Sequence, residues 1–258
     1  MSVTVFEHPL SPYAQKVKLA LLYKGVTFEV EYPMQGAASD RFMAASPRGE
    51  VPVLQHEQLY LYDSSVIGAY IDETWLEPPL LPPTPSVRAR LRLLEQAMDT
   101  HFESNTWGLG EVLIFGRAEG QVAEQMCAFA TSQIQGWYRW LDDQLGDAHW
   151  FNGAAYGWGD MCVLPFVNGA ARFDILPKPG TSLAAWLTRV NAREDVHEVT
   201  VAAQAAELDP DAMRAALAAG FKREYRDHRL EWMIRAGGLD VVVTGLAANN
   251  IRFNGSFA

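Results

Sequence analysis

A proline-rich segment at residues 77–85 divides this chain more sharply than any other feature. The segment reads EPPLLPPTP, with five prolines in nine residues. Because proline lacks the backbone N–H that helix interiors and central strands need, neither kind of element can run through it. We therefore expect two parts, residues 1–80 and residues 81–258, joined by a linker.

The first part alternates strand-like and helical patterns. Apolar runs and alternation predict strands at residues 3–6, 28–32, 51–54 and 59–62, the last two forming a hairpin. Helical spacing predicts helices between Ser11 and Gly25, at residues 40–45 and at residues 66–75. The resulting order, βαβ, helix, ββ, helix, indicates an α/β domain.

The second part has helical periodicity almost throughout. Helices are predicted at residues 86–117, 119–145, 158–172 and 181–191. Asp209 and Pro210 form a favourable N-cap and N1 pair and predict a further long helix. From Gly237 onward the periodicity is lost, which predicts an irregular tail.

Composition excludes several classes of function. The net charge of −10 argues against nucleic-acid binding, which needs a basic surface. No apolar run approaches the roughly 20 residues that span a bilayer, which predicts a cytoplasmic protein without a membrane contact. The two cysteines and six histidines have no metal-ligand spacing, so no metal site is expected.

The turn before the first helix places Ser11 at a helix N-terminus. Unpaired N–H groups and the positive end of the helix dipole favour an anion there, and a thiolate is the obvious candidate. Alternatively, Ser11 only caps the helix with Pro12 at N1, which the local sequence favours equally.

Three segments together resemble the glutathione transferase family. They are SPYAQKVKLALLYKG at residues 11–25, SPRGEVPVL at residues 46–54 and YDSSVIGAYIDE at residues 62–73, with weaker similarity at residues 150–160 and 183–195. The resemblance covers roughly residues 3–205. It implies a thioredoxin-like N-terminal domain followed by a helical C-terminal domain, with glutathione as co-substrate and a homodimer.

The resemblance also implies roles for individual residues. In serine-type members the residue at the position of Ser11 donates a hydrogen bond to the glutathione thiolate. Val51 would pair with the glutathione backbone, next to a cis peptide bond at Pro52. Asp63 would face the γ-glutamyl ammonium and Ser64 would bind the carboxylate, although both are equally suited to capping a helix.

One position departs from the family pattern, and two cationic residues could have a role at the ligand site. The family often has Ser or Thr three residues before a helical Asp, but here Gly157 precedes Asp160. Lys16 and Arg48 could add positive charge near the ligand, yet their sequence context is equally that of solvated surface.

The electrophile would lie between the two halves. Candidate contacts are Tyr13, which also competes with Ser11 for the thiolate, and His101, Phe102, Asn105 and Trp107. Alternatively, each of these residues belongs to the hydrophobic core or to the ordinary surface. Residues from about 208 onward extend past the helical half that is usual in the family. This C-terminal extension would cover the site or serve as a packing strap or dimer contact.

Several reactions fit this site. Conjugation of a small hydrophobic or aromatic electrophile, or cleavage of an aryl ether, suits an aromatic, neutral site and would serve detoxification or aromatic compound catabolism. A cis/trans isomerase acting on a dienoic acid would need cationic residues instead. A binding module that retains the fold without catalysis is the alternative from another class.

Overall fold

The computed structural model describes residues 2–33, 38–206, 208–223, 225 and 227–251. Its first part has the predicted order of elements. They are β1 Val3–Phe6, α1 Pro12–Tyr23, β2 Glu29–Glu31, α2 Ala38–Ala45, β3 Val53–His56, β4 Leu59–Tyr62 and α3 Ser64–Thr74. Strand β2 is shorter than residues 28–32, and β3 begins two residues later than predicted because Val51 and Pro52 form the turn that precedes it.

The four strands form one mixed sheet in the order β2-β1-β3-β4. Strand β1 pairs in parallel with β2 and antiparallel with β3, which pairs antiparallel with β4. On one face Val5 and Leu54 join the main core with α1 and α3, while on the other Phe6 and Val53 pack against Phe42 of α2. This is the expected thioredoxin-like sheet with helices on both faces.

The second part is helical, as predicted. Its elements are α4 Pro85–Ala97, a π-helical turn Met98–Phe102, α5 Glu103–Leu113, α6 Gly120–Leu145, α7 Trp158–Ala171, α8 Ser182–Asn191, α9 Glu194–Ala205, α10 Pro210–Ala218, α11 His228–Arg235 and α12 Leu239–Ala247. The predicted first helix is therefore continuous but contains a turn in which Glu103 N–H donates to Met98 C=O, five residues back. Helix α9 was not predicted.

The prediction of one long helix from Asp209 is wrong. Helix α10 ends at Ala218, where Gly220 adopts φ 101° and Phe221 N–H donates to Ala216 C=O. Glycine tolerates a positive φ that other residues avoid, so it is a natural helix terminator. The prediction of an irregular tail from Gly237 is also wrong for Leu239–Ala247, which form α12. Residues 252–258 of that tail lie outside the described residues. No helix among the described residues combines the length and apolar character that a bilayer-spanning segment needs.

The proline-rich linker is fixed to the helical part by its backbone. The Leu80 carbonyl accepts hydrogen bonds from Trp158 N–H, at 2.9 Å, and from the Asn152 amide, at 2.7 Å. A Cβ atom at Gly157 would lie 2.6 Å from that carbonyl oxygen and 1.9 Å from the Asn152 amide nitrogen. The linker therefore occupies the space that a Ser or Thr side chain would need, which explains glycine at position 157.

Asp160 organises the start of α7 from inside the core. It is fully buried, and its carboxylate accepts hydrogen bonds from Phe151 N–H at 2.9 Å, Gly157 N–H at 3.1 Å and Trp186 Nε1 at 2.8 Å. Burial raises the pKa of Asp160 to about 6 despite these donors. One carboxylate thus ties the loop before α7, the start of that helix and α8 together.

The C-terminal extension is attached to α5 by a polar anchor. Glu111, whose side chain is 3% exposed, accepts hydrogen bonds from Arg223 Nε at 2.7 Å and from the Tyr225 hydroxyl at 2.8 Å. The Tyr225 ring meets the Trp107 ring edge-on, with centroids 4.8 Å apart. The extension therefore packs on the same helix that was predicted to contact the electrophile.

Replacing Asp160 by alanine should destabilise the fold. Three buried donors would lose their acceptor, and we expect the free energy of unfolding to fall by about 3 kcal/mol. Urea unfolding measures this, with Asp143→Ala as the control because Asp143 is an exposed residue of α6. Equal stabilities of the two variants would contradict the role assigned to Asp160.

Replacing Glu111 by alanine should release the extension without unfolding the rest. Loss of hydrogen bonds to a buried charge should speed amide exchange in α10, the helix that precedes the anchor, by about tenfold or more. Hydrogen–deuterium exchange followed by mass spectrometry measures the effect. The control is Glu124→Ala on the exposed side of α6, and an unchanged rate in Glu111→Ala would show that the anchor does not hold the extension.

Candidate functional site

The register of the sheet brings three loop segments to one edge. Phe6 pairs with Val53, and Val53 pairs with Tyr62, so these three residues lie in one row across β1, β3 and β4. The chain leaves β1 after Phe6, enters β3 before Val53 and leaves β4 after Tyr62. The segments that carry Ser11, Val51–Pro52 and Asp63–Ser64 therefore emerge from the same edge.

Ser11 caps α1 and still has a hydrogen-bond donor to offer. Its Oγ accepts from Ala14 N–H at 3.3 Å, and Pro12 occupies the first helical position. A serine hydroxyl has one O–H donor besides its acceptor sites, and no described residue receives that donor. Capping and binding of an anion are therefore compatible roles for Ser11 rather than alternatives.

The Val51–Pro52 peptide bond is cis, as expected from the family resemblance. Val51 lies outside β3, and neither its N–H nor its C=O forms a hydrogen bond with another described residue. Such a backbone edge can pair with an extended peptide in the manner of an added strand.

Asp63 and Ser64 form the turn between β4 and α3. Asp63 adopts φ 71°, and its Oδ1 accepts from Ser65 N–H at 3.0 Å and from Val66 N–H at 3.2 Å. This conformation is costly for a residue with a side chain, by about 1–3 kcal/mol, and such costs cluster at functional sites. Asp63 Oδ2 and the Ser64 hydroxyl have no hydrogen-bond partner among the described residues.

Tyr13 is occupied by a contact inside the protein. Its hydroxyl donates to the backbone carbonyl of Asp99 at 2.7 Å, and its ring meets Phe166 edge-on. Burial and, after it, the negative charges of Glu103, Asp99 and Asp63 raise the pKa of Tyr13 well above its usual value. The Tyr13 hydroxyl therefore joins α1 to the helix that crosses from α4 to α5, and its only donor is used there.

Lys16 is not the surface residue that its sequence context suggested. It is fully buried, and its Nζ lies 2.9 Å from Glu95 Oε1 and 2.6 Å from Asp99 Oδ2. Glu95 also accepts from the Ser65 hydroxyl at 2.7 Å and from Trp158 Nε1 at 2.8 Å. A buried ammonium must be paired, and these carboxylates from the second part of the chain pair it. Arg48, by contrast, forms a partly exposed ion pair with Glu50.

Two carboxyl groups on this helix have raised pKa values. Burial raises the pKa of Asp99 to about 6 in spite of the adjacent Lys16 ammonium, and Asp99 Oδ1 is buried without a hydrogen-bond partner among the described residues. Burial and, after it, the charge of Asp99 raise the pKa of Glu103 to about 7. The helix therefore presents acidic groups beside the start of α1.

Among the other residues predicted to contact the electrophile, Trp107 has the most suitable position. It lies one turn beyond Glu103 and contacts Tyr225 of the extension. Phe102 is fully buried against Tyr138 and Phe166, so it belongs to the core and cannot touch a bound molecule in this structure.

His101 and Asn105 are engaged within the helical part. The His101 ring stacks on Trp137 of α6 with centroids 6.0 Å apart, and the Asn105 amide donates to the His101 carbonyl at 2.8 Å. The residues that sequence reasoning missed are Glu95, Asp99 and Glu103. Their four-residue spacing, which puts them on one helix face, was a usable signal. Within the described ranges no three His, Cys, Asp or Glu side chains group as a metal site would require.

Comparison with known proteins identifies relatives of this chain. Residues 5–79 match the family model described as glutathione S-transferase, N-terminal domain. Glutathione S-transferase U28 of Arabidopsis thaliana is 31% identical over 168 residues, which are 64% of this chain and 71% of that protein.

Two further similarities extend the comparison. A stringent starvation protein A homologue of Coxiella burnetii is 34% identical over 100 residues, covering 39% of this chain and 48% of that protein. The crystal structure of rice GST1 in complex with glutathione superimposes with a TM-score of 0.65 at 23% identity, covering 84% of this chain and 95% of that one. From its matched N-terminal domain and its 31% identity to a relative of which it covers 71%, the chain belongs to the glutathione S-transferase family.

Proposed function

We propose that this protein is a glutathione transferase that activates the glutathione thiol for attack on a small, neutral, aromatic electrophile. The observation that carries the proposal is the convergence of Ser11, Val51 and the Asp63–Ser64 turn at one sheet edge. Each of them has hydrogen-bonding groups that no described residue uses. The glutathione thiol would bind at Ser11, its peptide backbone at Val51 and its charged γ-glutamyl end at the Asp63–Ser64 turn.

The Ser11 end of the site supplies the chemistry. A cysteine-like thiol has a pKa near ~8.5, so only a few per cent of it is ionised at neutral pH. Lowering that pKa by about two units requires roughly 2.7 kcal/mol of preferential stabilisation of the anion. The Ser11 O–H donor and the N-terminus of α1 are the groups that would provide it.

The charges beside the site favour a neutral electrophile over a carboxylate. Asp99 and Glu103 face the start of α1, and the nearby ammonium of Lys16 is already shared by two carboxylates. A dienoic acid would meet like charges rather than the cations that an isomerase needs. The edge-on pair of Trp107 and Tyr225 would give an aromatic ring an apolar wall. Conjugation or aryl-ether cleavage is therefore preferred to isomerisation.

The resemblance to the family also leads us to propose a homodimer that acts in the cytoplasm. Val66 of α3 and Leu93 of α4 are exposed apolar residues on helices joined by the Ser65–Glu95 hydrogen bond. A second copy would cover them. Sedimentation velocity of the full chain measures this directly.

A non-catalytic binding module remains the second candidate, and one feature favours it. Helices α11 and α12 carry exposed apolar side chains, with Trp232 at 67% and Val241 at 60% exposure. Large exposed apolar surfaces often mark interaction sites. Retention on immobilised glutathione without turnover of any electrophile in a broad panel would select this candidate.

Removal of the Ser11 hydroxyl should raise the thiol pKa of bound glutathione. We expect Ser11→Ala to raise it by about two units, because the anion loses its donor. The ultraviolet absorbance of the thiolate as a function of pH gives the value. Since alanine also removes the helix cap, Ser11→Thr, which keeps both functions, should restore the original pKa. Tyr13→Phe should leave this pKa unchanged. If Tyr13→Phe raises the thiol pKa and Ser11→Ala does not, Tyr13 is the residue that stabilises the thiolate.

Removal of the Asp63 charge should weaken glutathione binding while leaving α3 intact. Asparagine keeps an oxygen that can cap Ser65 and Val66 but loses the charge that would pair with the γ-glutamyl ammonium. We expect the Kd of Asp63→Asn for glutathione to rise by about tenfold or more, as for loss of a charge-assisted hydrogen bond. Titration calorimetry measures it, with Asp143→Asn as the control, and an unchanged Kd would remove Asp63 from the binding site.

A further inference from the structure

The Ser65 hydroxyl forms a hydrogen bond inside the protein, although Ser65 directly follows the proposed place for the γ-glutamyl group. It donates to Glu95 Oε1 of α4 at 2.7 Å, and Glu95 is buried. A hydroxyl has one proton to donate, so the proton of Ser65 is not available to a ligand. A hydrogen bond to a carboxylate is of the strong, charge-assisted kind. Ser65 is therefore suited to holding the turn rather than to binding glutathione itself.

Glu95 is a rigid support for this hydroxyl. Its Oε1 also accepts from Lys16 Nζ at 2.9 Å, and its Oε2 accepts from Trp158 Nε1 at 2.8 Å. Donors from α1, α3 and α7 thus meet at one carboxylate, and each comes from the first or second turn of its helix. A shift of any of these helices would leave a buried charge without one of its donors, which is costly.

Helix α3 also approaches Trp158 with no side chain of its own in between. A Cβ atom at Gly68 would lie 2.2 Å from the Trp158 ring, so glycine is what allows this approach. Gly68 comes three residues after Ser65 and lies on the same side of α3. The first turn of α3 is therefore fixed against the residue that also donates to Glu95.

The same serine supports the strained residue of the turn. Ser65 N–H donates to Asp63 Oδ1 at 3.0 Å, and Asp63 adopts φ 71°. A residue with a side chain keeps such a conformation only where its surroundings impose it. The backbone of Ser65 orients the Asp63 carboxylate, and the hydroxyl of Ser65 ties that backbone to Glu95. The direction of Asp63 Oδ2 therefore depends on a hydrogen bond that lies outside the proposed binding site.

We propose that Ser65 is a positioning residue through which the protein selects thiols that carry a γ-glutamyl group. The inference rests on the proposed function and adds how the site would distinguish glutathione from shorter cysteine thiols. Ser65 acts through Asp63, whose carboxylate would pair with the γ-glutamyl ammonium. Because Glu95 Oε1 accepts from both Ser65 and Lys16, the place for this group is fixed relative to α1. Binding of the γ-glutamyl end therefore helps to orient the thiol at Ser11.

The test compares glutathione with N-acetylcysteinylglycine, which keeps the thiol and both peptide bonds but lacks the γ-glutamyl ammonium and carboxylate. Ser65→Ala removes the hydroxyl, and the variant should fold because alanine favours a helix and Glu95 keeps its donors from Lys16 and Trp158. We expect the Kd for glutathione to rise by about tenfold, as for loss of a hydrogen bond to a charged group. The Kd for the acetylated dipeptide should stay within about twofold, since the lost contact acts on a group that this ligand lacks. Titration calorimetry measures both values.

Further variants separate positioning from a merely structural role, which would weaken both ligands together. Ser65→Thr keeps the hydroxyl and should return the Kd for glutathione to within about twofold of the original value. Ser132→Ala, on the exposed side of α6, is the matched control and should change neither Kd. In the double variant Ser65→Ala with Asp63→Asn, the Kd for glutathione should rise no further than in Asp63→Asn alone, because Ser65 acts through Asp63.

Each other outcome overturns the inference. An unchanged Kd for glutathione in Ser65→Ala would show that the hydroxyl does not hold the binding turn, and equal weakening of both ligands would assign Ser65 to stability alone. Additive losses in the double variant would show that Ser65 does not act through Asp63. These three results leave the proposed transferase intact. If the unmodified protein binds glutathione no more tightly than the acetylated dipeptide, the proposed place for the γ-glutamyl group is itself wrong, and the role of Ser65 fails with it.

Discussion

The buried ammonium of Lys16 fixes the geometry on which the site depends. It leaves α1 of the first domain and ends between Glu95 and Asp99 of the helical part. Apolar packing between two domains tolerates small shifts, but a desolvated charge between two carboxylates does not, because any shift leaves an ion unpaired. The start of α1, and with it Ser11, therefore has a fixed place relative to the helix that carries Glu103.

The proposed glutathione site would draw most of its binding groups from the backbone and from helix ends. Val51 offers an unpaired peptide edge, and the N-termini of α1 and α3 offer N–H groups next to Ser11 and Ser64. Such groups are held by secondary structure and lose no side-chain entropy on binding, so they suit a fixed tripeptide. The proposed electrophile site would be built differently, from side chains on α5 and from the anchored extension, and it could vary without disturbing the sheet.

Local patterns in the sequence were enough to predict the sheet, most helices and the segments that meet at its edge. They depend on neighbours in sequence: Ser11 and Pro12 as cap and N1, alternation in the strands, and prolines in the linker. Some errors are local, such as the long helix predicted from Asp209, which Gly220 ends. The others concern contacts that are distant in sequence. Nothing near Lys16 indicates that carboxylates 79 and 83 residues away would bury it. Likewise, glycine is needed at position 157 because the Leu80 carbonyl occupies the space of a side chain there. Phe102 was predicted to contact the electrophile because its partners Tyr138 and Phe166 lie on other helices, which the local sequence does not reveal.

The π-helical turn at Met98–Phe102 determines the direction in which the side chains of α5 point around the helix axis. It accommodates one residue more than an α-helical turn would, and one residue corresponds to about 100° of rotation. Before the turn, Glu95 points to Lys16; after it, Trp107 and Glu111 point to Tyr225. If residues 98–102 were regular α-helix, the helix could direct side chains to Lys16 or to Tyr225, but not to both. A single extra residue of backbone thus lets one helix contact the N-terminal domain at one end and the C-terminal extension at the other.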